Sequence, residues 1–172
     1  MALASPNILN YTIGKGSVYI KTSTDGTRRH IGNCPEFEFT PEIEKLEHFS
    51  SQAGVRERDR TVVLEKKGSL RIVFEEMTAE NLRIALLGAL TDGSSGDQEI
   101  DIFSESSITA EVWFDGANDV GPKWNYYFPS VDFIPSSAIP LISEEWMQVE
   151  INGDVQKSNG SFGTASRIAD GV

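Results

Sequence analysis

Two long segments of two-residue alternation constrain this chain more than any other feature. In residues 60–76, Val62, Leu64, Leu70, Ile72 and Phe74 occupy even positions, while Val63, Glu65, Lys67, Arg71, Val73 and Glu75 occupy odd ones. Successive side chains of an extended strand point to opposite faces, so the pattern predicts a long strand with one apolar face. The phase passes unbroken through the stretch KKGS. A hairpin turning at Lys67-Gly68 is the alternative, but a single strand keeps the apolar face without special turn geometry and is the expectation.

The other segment, EFEFTPEIEKLEHF at residues 36–49, puts Glu36, Glu38, Thr40, Glu42 and Glu44 on one side and Phe37, Phe39, Pro41 and Ile43 on the other. Like charges aligned on one sheet face cost stability, so an acidic strip points to a use outside the chain. The phase slips near Lys45 and Leu46, which predicts a bulge or bend. Between the two segments, SSQAGVRERDR at residues 50–60 is too long and too polar for a tight turn and reads as a loop.

Elsewhere, SVYIKT at residues 17–22 reads as a short strand followed by the turn STDGT. The helix signal is TAENLRIALLGAL at residues 78–90. Thr78 is its cap, Glu80 sits at the positive end of its dipole, and Leu82, Ala85, Leu86, Ala89 and Leu90 form an apolar stripe that covers a sheet face. TDGSSGDQ follows as a loop. Ile108, Ala110, Val112 and Phe114, then Trp124, Tyr126 and Phe128, then Met147, Val149 and Ile151 mark meander strands of an antiparallel sandwich or barrel. The expectation is one mainly β domain over residues 1–172, with a flexible segment at 1–15 and a tail from about 157 to 172 that is mobile or pinned by a neighbour.

Charge narrows the function. With 15 basic against 26 acidic side chains and a net charge of −11, a clamp for nucleic-acid phosphates is disfavoured. A single cysteine, Cys34, excludes an internal disulfide framework, and residues 1–14 lack the basic start and apolar run of a signal peptide, which points to synthesis in the cytoplasm. The apolar runs fall far short of the roughly 20 residues of a membrane-spanning helix, so a soluble chain without a membrane-spanning segment is expected. His30, Cys34 and His48 have no compact metal spacing, and Cys34 has no activating context. Glu144 and Glu145 beside Trp146 read as strand neighbours pointing to opposite faces, unable to act as a pair. No phosphate-binding glycine motif is present. Neither an enzyme nor a cofactor or metal site is expected.

The block FEFTPEIEKLEHFSSQAGVRERDRTVVLEKKGSLRIVFEEMTAENLRIALLG, residues 37–88, resembles the tail tube proteins of long-tailed, siphovirus-type bacteriophages. Their sequences commonly carry a TPE-x-E-x-LEH-like segment, a loop, a long strand and an EE-x-T-x-EN-L-x-x-A-L-like helix. The second half of the chain resembles that family only in strand rhythm. The resemblance implies a β-sandwich or barrel with a flanking helix, a structural virion protein, and homo-hexameric rings stacked into a hollow tube. The long strands of all subunits then form an inner barrel through which DNA passes on ejection without specific binding. Implied partners are other tail proteins: tape measure, terminator and baseplate.

On that reading Glu36, Glu38, Glu42, Glu44, Glu65, Lys67, Arg71 and Glu75 face the lumen, where carboxylates disfavour adhesion of phosphates. Phe37, Phe39 and Ile43 then pack outward beneath the helix. Gln52, Gly54, Arg56, Glu57, Arg58, Asp59 and Arg60 belong to a loop that docks on the next ring by paired charges. Alternatives are another hexameric tail component, such as a terminator, a baseplate hub element or the tube of a contractile injection device. A different class is a monomeric β-sandwich that binds carbohydrate through Trp113, Trp124, Tyr126 and Tyr127.

Overall fold

The computed structural model describes residues 5–52 and 54–168. Residues 1–4 and 169–172, parts of the two ends expected to be flexible, and Ala53, in the expected loop, lie outside the described residues. Strands dominate: β1 (Gly16–Thr22), β2 (Arg29–His30), β3 (Glu36–Ser50), β4 (Glu57–Phe74), β5 (Ala89–Asp92), β6 (Gln98–Asp101), β7 (Ile108–Gly116), β8 (Lys123–Pro135), β9 (Val149–Val155) and β10 (Thr164–Ile168). Among the described residues there is one α-helix, α1 (Ala79–Ala85), and a 3-10 turn at Ile8–Asn10.

The main sheet runs β2-β1-β7-β8-β9-β4-β3, with β10 beside β8, while β5 and β6 form a separate ladder. All these pairings are antiparallel. The sheet curls back on itself. Phe37 of β3 stacks on Phe114 of β7 with ring centres 5.4 Å apart, and Phe39 meets Phe128 of β8 at 5.0 Å, although β3 stands at the far end of the strand order. The result is the mainly β, antiparallel, two-layered arrangement that the alternation predicts.

Between the layers lie Val18, Ile20, Leu70, Ile72, Phe74, Val112, Val131, Phe133, Val149 and Ile151, all buried. Each contributes on the order of 1.5–3 kcal/mol of burial free energy. β4 is one uninterrupted strand, as expected, and Leu70, Ile72 and Phe74 fill the core in strict alternation. Gly68 is buried opposite Pro41, and a Cβ there would lie 2.7 Å from the Phe39 ring. Its bare backbone lets Phe39 lie beneath β4 against Phe128. Gly68→Val is therefore expected to destabilise the fold by about 1–3 kcal/mol through crowding, although valine is otherwise a strand former. Urea unfolding measures this, and an unchanged midpoint would show that Phe39 can move away freely.

The helix is shorter than the periodicity predicts. Thr78 caps it as expected, accepting from the Asn81 backbone N–H at 3.2 Å. The helix nevertheless ends at Ala85, and Ala89 and Leu90 belong to β5. Leu87 adopts a left-handed φ of 45°, and Gly88 lies so close to the Asp101 backbone and the Ile100 side chain that a Cβ would not fit. These two residues turn the chain into the β5–β6 hairpin, so the expected loop at residues 91–98 gives up its ends to strands. The buried helix positions are Asn81, Ile84 and Ala85, while Leu82 and Leu86 are only half-buried. Asn81 ties the helix down by donating to the carbonyls of Ile31 at 2.8 Å and Glu76 at 2.9 Å.

The expected flexible ends are held in part. Asn118 donates to Thr12 Oγ1 at 2.9 Å, and Thr164–Ile168 pairs with β8 as β10.

Candidate functional site

The feature that the core does not explain is the ribbon made by β3 and β4. Their ladder runs from Glu36↔Val73 to Ser50↔Glu57, but β9 covers β4 only from Ser69 to Phe74. From Glu57 to Gly68, β4 has only β3 beside it, and the outer edge of β3 has no strand partner among the described residues. The distal ribbon is bare on both faces. Ile43, Leu46, Val62, Val63 and Leu64 are 42–58% exposed. A two-stranded ribbon with apolar residues in water is at best marginally stable, and its free edges template further pairing.

The carboxylate strip is real. Glu38 pairs in register with Arg71, Glu42 with Lys67 and Glu44 with Glu65, so these side chains share one face with Glu36. Arg71 is the centre of its inner half, bonded to Glu36 and to Glu150 at 2.8 Å and lying 3.5 Å from Glu38. Those bonds, first to Glu150 and then to Glu36, push the guanidinium further up. Lys67 bonds Glu65 at 2.9 Å, which raises the ammonium. Among the described residues Glu42 and Glu44 have no ion pair, and Glu44 directly opposes Glu65, a like-charge pair that costs stability. Glu75 lies just past the end of β4, where first the Asn33 amide and then Gln148 hold its carboxyl below the usual range.

A register shift at Glu44/Lys45 falls where the sequence phase slips, and Leu64 is the unpaired extra residue. Alternation along β3 then brings Leu46, paired with Val62, onto the side that carried Glu42 and Glu44. This apolar rung interrupts the polar face, which resumes with His48 opposite Arg60.

Three expectations are corrected. Phe37 and Phe39 pack against β7 and β8 rather than beneath the helix, and Ile43 is exposed. The loop is only residues 51–56, because Ser50 ends β3 and Glu57, Arg58, Asp59 and Arg60 belong to β4, Asp59 as the unpaired residue of a second register shift, with only Gln52, Gly54 and Arg56 left in the connection. Their side chains meet across the ribbon, Arg58 in an ion pair with Glu47 and Asp59 in a hydrogen bond with His48, each at 2.6 Å, while Arg56 stacks 5.0 Å from the Phe49 ring. Glu144 and Glu145 lie in the irregular segment between β8 and β9 rather than on a strand.

The soft ligands are apart: His30 packs edge-on to Tyr19, His48 is on the ribbon, and Cys34 donates to the Glu36 carbonyl at 3.3 Å. Burial pushes the Cys34 thiol up to about 11. The four aromatics divide between two faces. Trp113 stacks on Tyr127 at 5.1 Å, and Tyr127 donates to Glu111 at 2.7 Å, while Trp124 and Tyr126 alternate onto the other face.

Sequence reasoning missed two features. Phe37, Phe39, Phe114, Tyr126 and Phe128 line an open cleft of about 270 Å³, which exists only because the sheet curls. Residues 136–148 form an arm whose tip exposes Leu141, Ile142 and Trp146 almost completely. Its signal in the sequence is an aperiodic apolar run interrupted by two glutamates.

Among the described residues no helix is long and apolar enough to cross a membrane. A comparison with curated proteins gives no match. The family model described as "Protein of unknown function UCP028589" matches residues 11–99, just over half of the 172 residues, including the whole ribbon and the helix, and the chain belongs to that family.

Proposed function

We propose that this chain is the subunit of a bacteriophage tail tube, a structural protein that closes into hexameric rings which stack around a DNA conduit. One observation carries the reading: the ribbon has two unsatisfied edges, the outer side of β3 and residues 57–68 of β4. Pairing the β3 edge of one copy with the free β4 stretch of the next satisfies both, and repetition around an axis leaves no edge open. Six copies per ring, the virion location and the other tail proteins as partners come from the resemblance of residues 37–88 to tail tube proteins. In such a ring the carboxylate face lines the bore, where Arg71 and Lys67 are already held by Glu36, Glu150 and Glu65, and Glu38, Glu42 and Glu44 repel passing phosphates.

Electron microscopy of the concentrated protein tests assembly. Rings or tubes are expected, and a chain that stays monomeric at every concentration overturns the reading. The bore is tested by the triple variant Glu38→Lys, Glu42→Lys, Glu44→Lys. These side chains are exposed, so folding and tube formation are expected to persist, while DNA delivery by particles carrying the variant falls by about ten-fold or more. Normal delivery by such particles would remove the acidic bore from the proposal.

A further inference from the structure

The arm at residues 136–148 carries its own observation. Leu141, Ile142 and Trp146 are 82%, 99% and 92% exposed. The arm is nevertheless anchored at its base: Ser136 donates to the Glu150 carbonyl at 3.0 Å, Gln148 donates to Glu75 at 2.8 Å, and Ile139 packs on the core. An anchored segment that holds three large apolar side chains in water has a partner surface to meet.

We propose that the tip of this arm docks in the aromatic cleft of a second copy of the chain, an inference that rests on the tube reading for its occupant. The cleft is lined entirely by aromatic rings and is open to solvent. In one copy the tip of the arm lies outside the cleft: Leu141, Ile142 and Trp146 stay in water, and the lining contains no residue of the arm. The arm leaves β8 after Pro135, well along the strand from Tyr126 and Phe128 of the lining. A neighbouring copy can bring its tip to the cleft.

Charge favours the same seat. Arg167 on β10 pairs with Trp124, which alternates with Tyr126 and Phe128, so the exposed guanidinium stands on the sheet face that lines the cleft. The arm brings Glu144 and Glu145 next to Trp146. An apolar tip flanked by carboxylates thus meets an aromatic cleft flanked by a cation, with the apolar contact giving affinity and the charges giving register.

Two measurements on the full chain test this. With Trp113→Phe and Trp124→Phe, Trp146 becomes the sole indole emitter. Its emission is expected to shift to the blue and to resist acrylamide quenching when the protein assembles. In the otherwise native chain, Arg167→Glu is expected to raise the concentration needed for assembly by about ten-fold, and adding Glu144→Lys with Glu145→Lys to bring it most of the way back. Rings whose Trp146 remains fully quenchable overturn the docking and leave the tube reading standing. So does an Arg167→Glu chain that assembles normally or is not rescued by the reciprocal change. A chain that stays monomeric at every concentration overturns both.

Discussion

Replacing residues 43–64 with a short Gly-Ser turn between Glu42 and Glu65 is expected to leave a folded subunit and, on the proposed tube reading, one that forms no rings. No residue of that stretch for which burial is described is buried, and β9 pairs with β4 only from Ser69 onward, so the core loses nothing. Ordering a backbone residue costs roughly 1–2 kcal/mol, and the distal ribbon has no layer beneath it to offset that cost within one subunit. The offset has to come from another chain. Sedimentation velocity should show a compact monomer with the wild-type melting behaviour at concentrations where the parent assembles. Tubes of ordinary length from the shortened protein would show that the ribbon is dispensable and that assembly runs through other surfaces.

Ile84→Asp is expected to unfold the subunit outright or to cost about 4 kcal/mol or more, because Ile84 is 1% exposed and an aspartate there has no partner. Leu86→Asp makes the sharper comparison. The apolar stripe read along residues 78–90 puts Leu86 in the centre, whereas Leu86 is the half-buried C-cap of a helix that has already ended. The second substitution should therefore cost markedly less than the first. Denaturant unfolding of the two variants side by side decides it, and equal losses would mean that the helix continues past Ala85.

The two substitutions show where local pattern stops being sufficient. Period 3.6 continues through Leu86, Ala89 and Leu90, but the backbone leaves the helix because Leu87 turns left-handed and Gly88 fits against β6. That outcome depends on a strand that comes later in the chain. In β4 the alternation of Leu70, Ile72 and Phe74 correctly identifies a core face, yet Val62 and Leu64 continue the same alternation into solvent. Alternation identifies a face and says nothing of what covers it. The charged run at residues 56–60 reads as a loop because it is polar, yet residues 57–60 belong to β4, where Arg58 and Asp59 reach diagonally to Glu47 and His48 of β3, partners that no local window contains.

For the candidate surface, the acidic strip was legible because Glu36, Glu38, Glu42 and Glu44 lie on one strand. The aromatic cleft was not. Phe37 and Phe39 reach Phe114 and Phe128 only after the whole sheet has curled, a long-range event that no window of sequence contains.

The continuity of β4 has a mechanical consequence. One end of this strand is clamped between β3 and β9 while the other runs out into the ribbon, and the strand passes through Gly68 without a break. Any load that a neighbouring chain places on the ribbon therefore arrives in the core along a stiff lever rather than through a linker. In the proposed assembly, copies joined this way would not swivel independently, and an array of them would flex like a woven sheet, with each bend divided into small changes of twist over many strands.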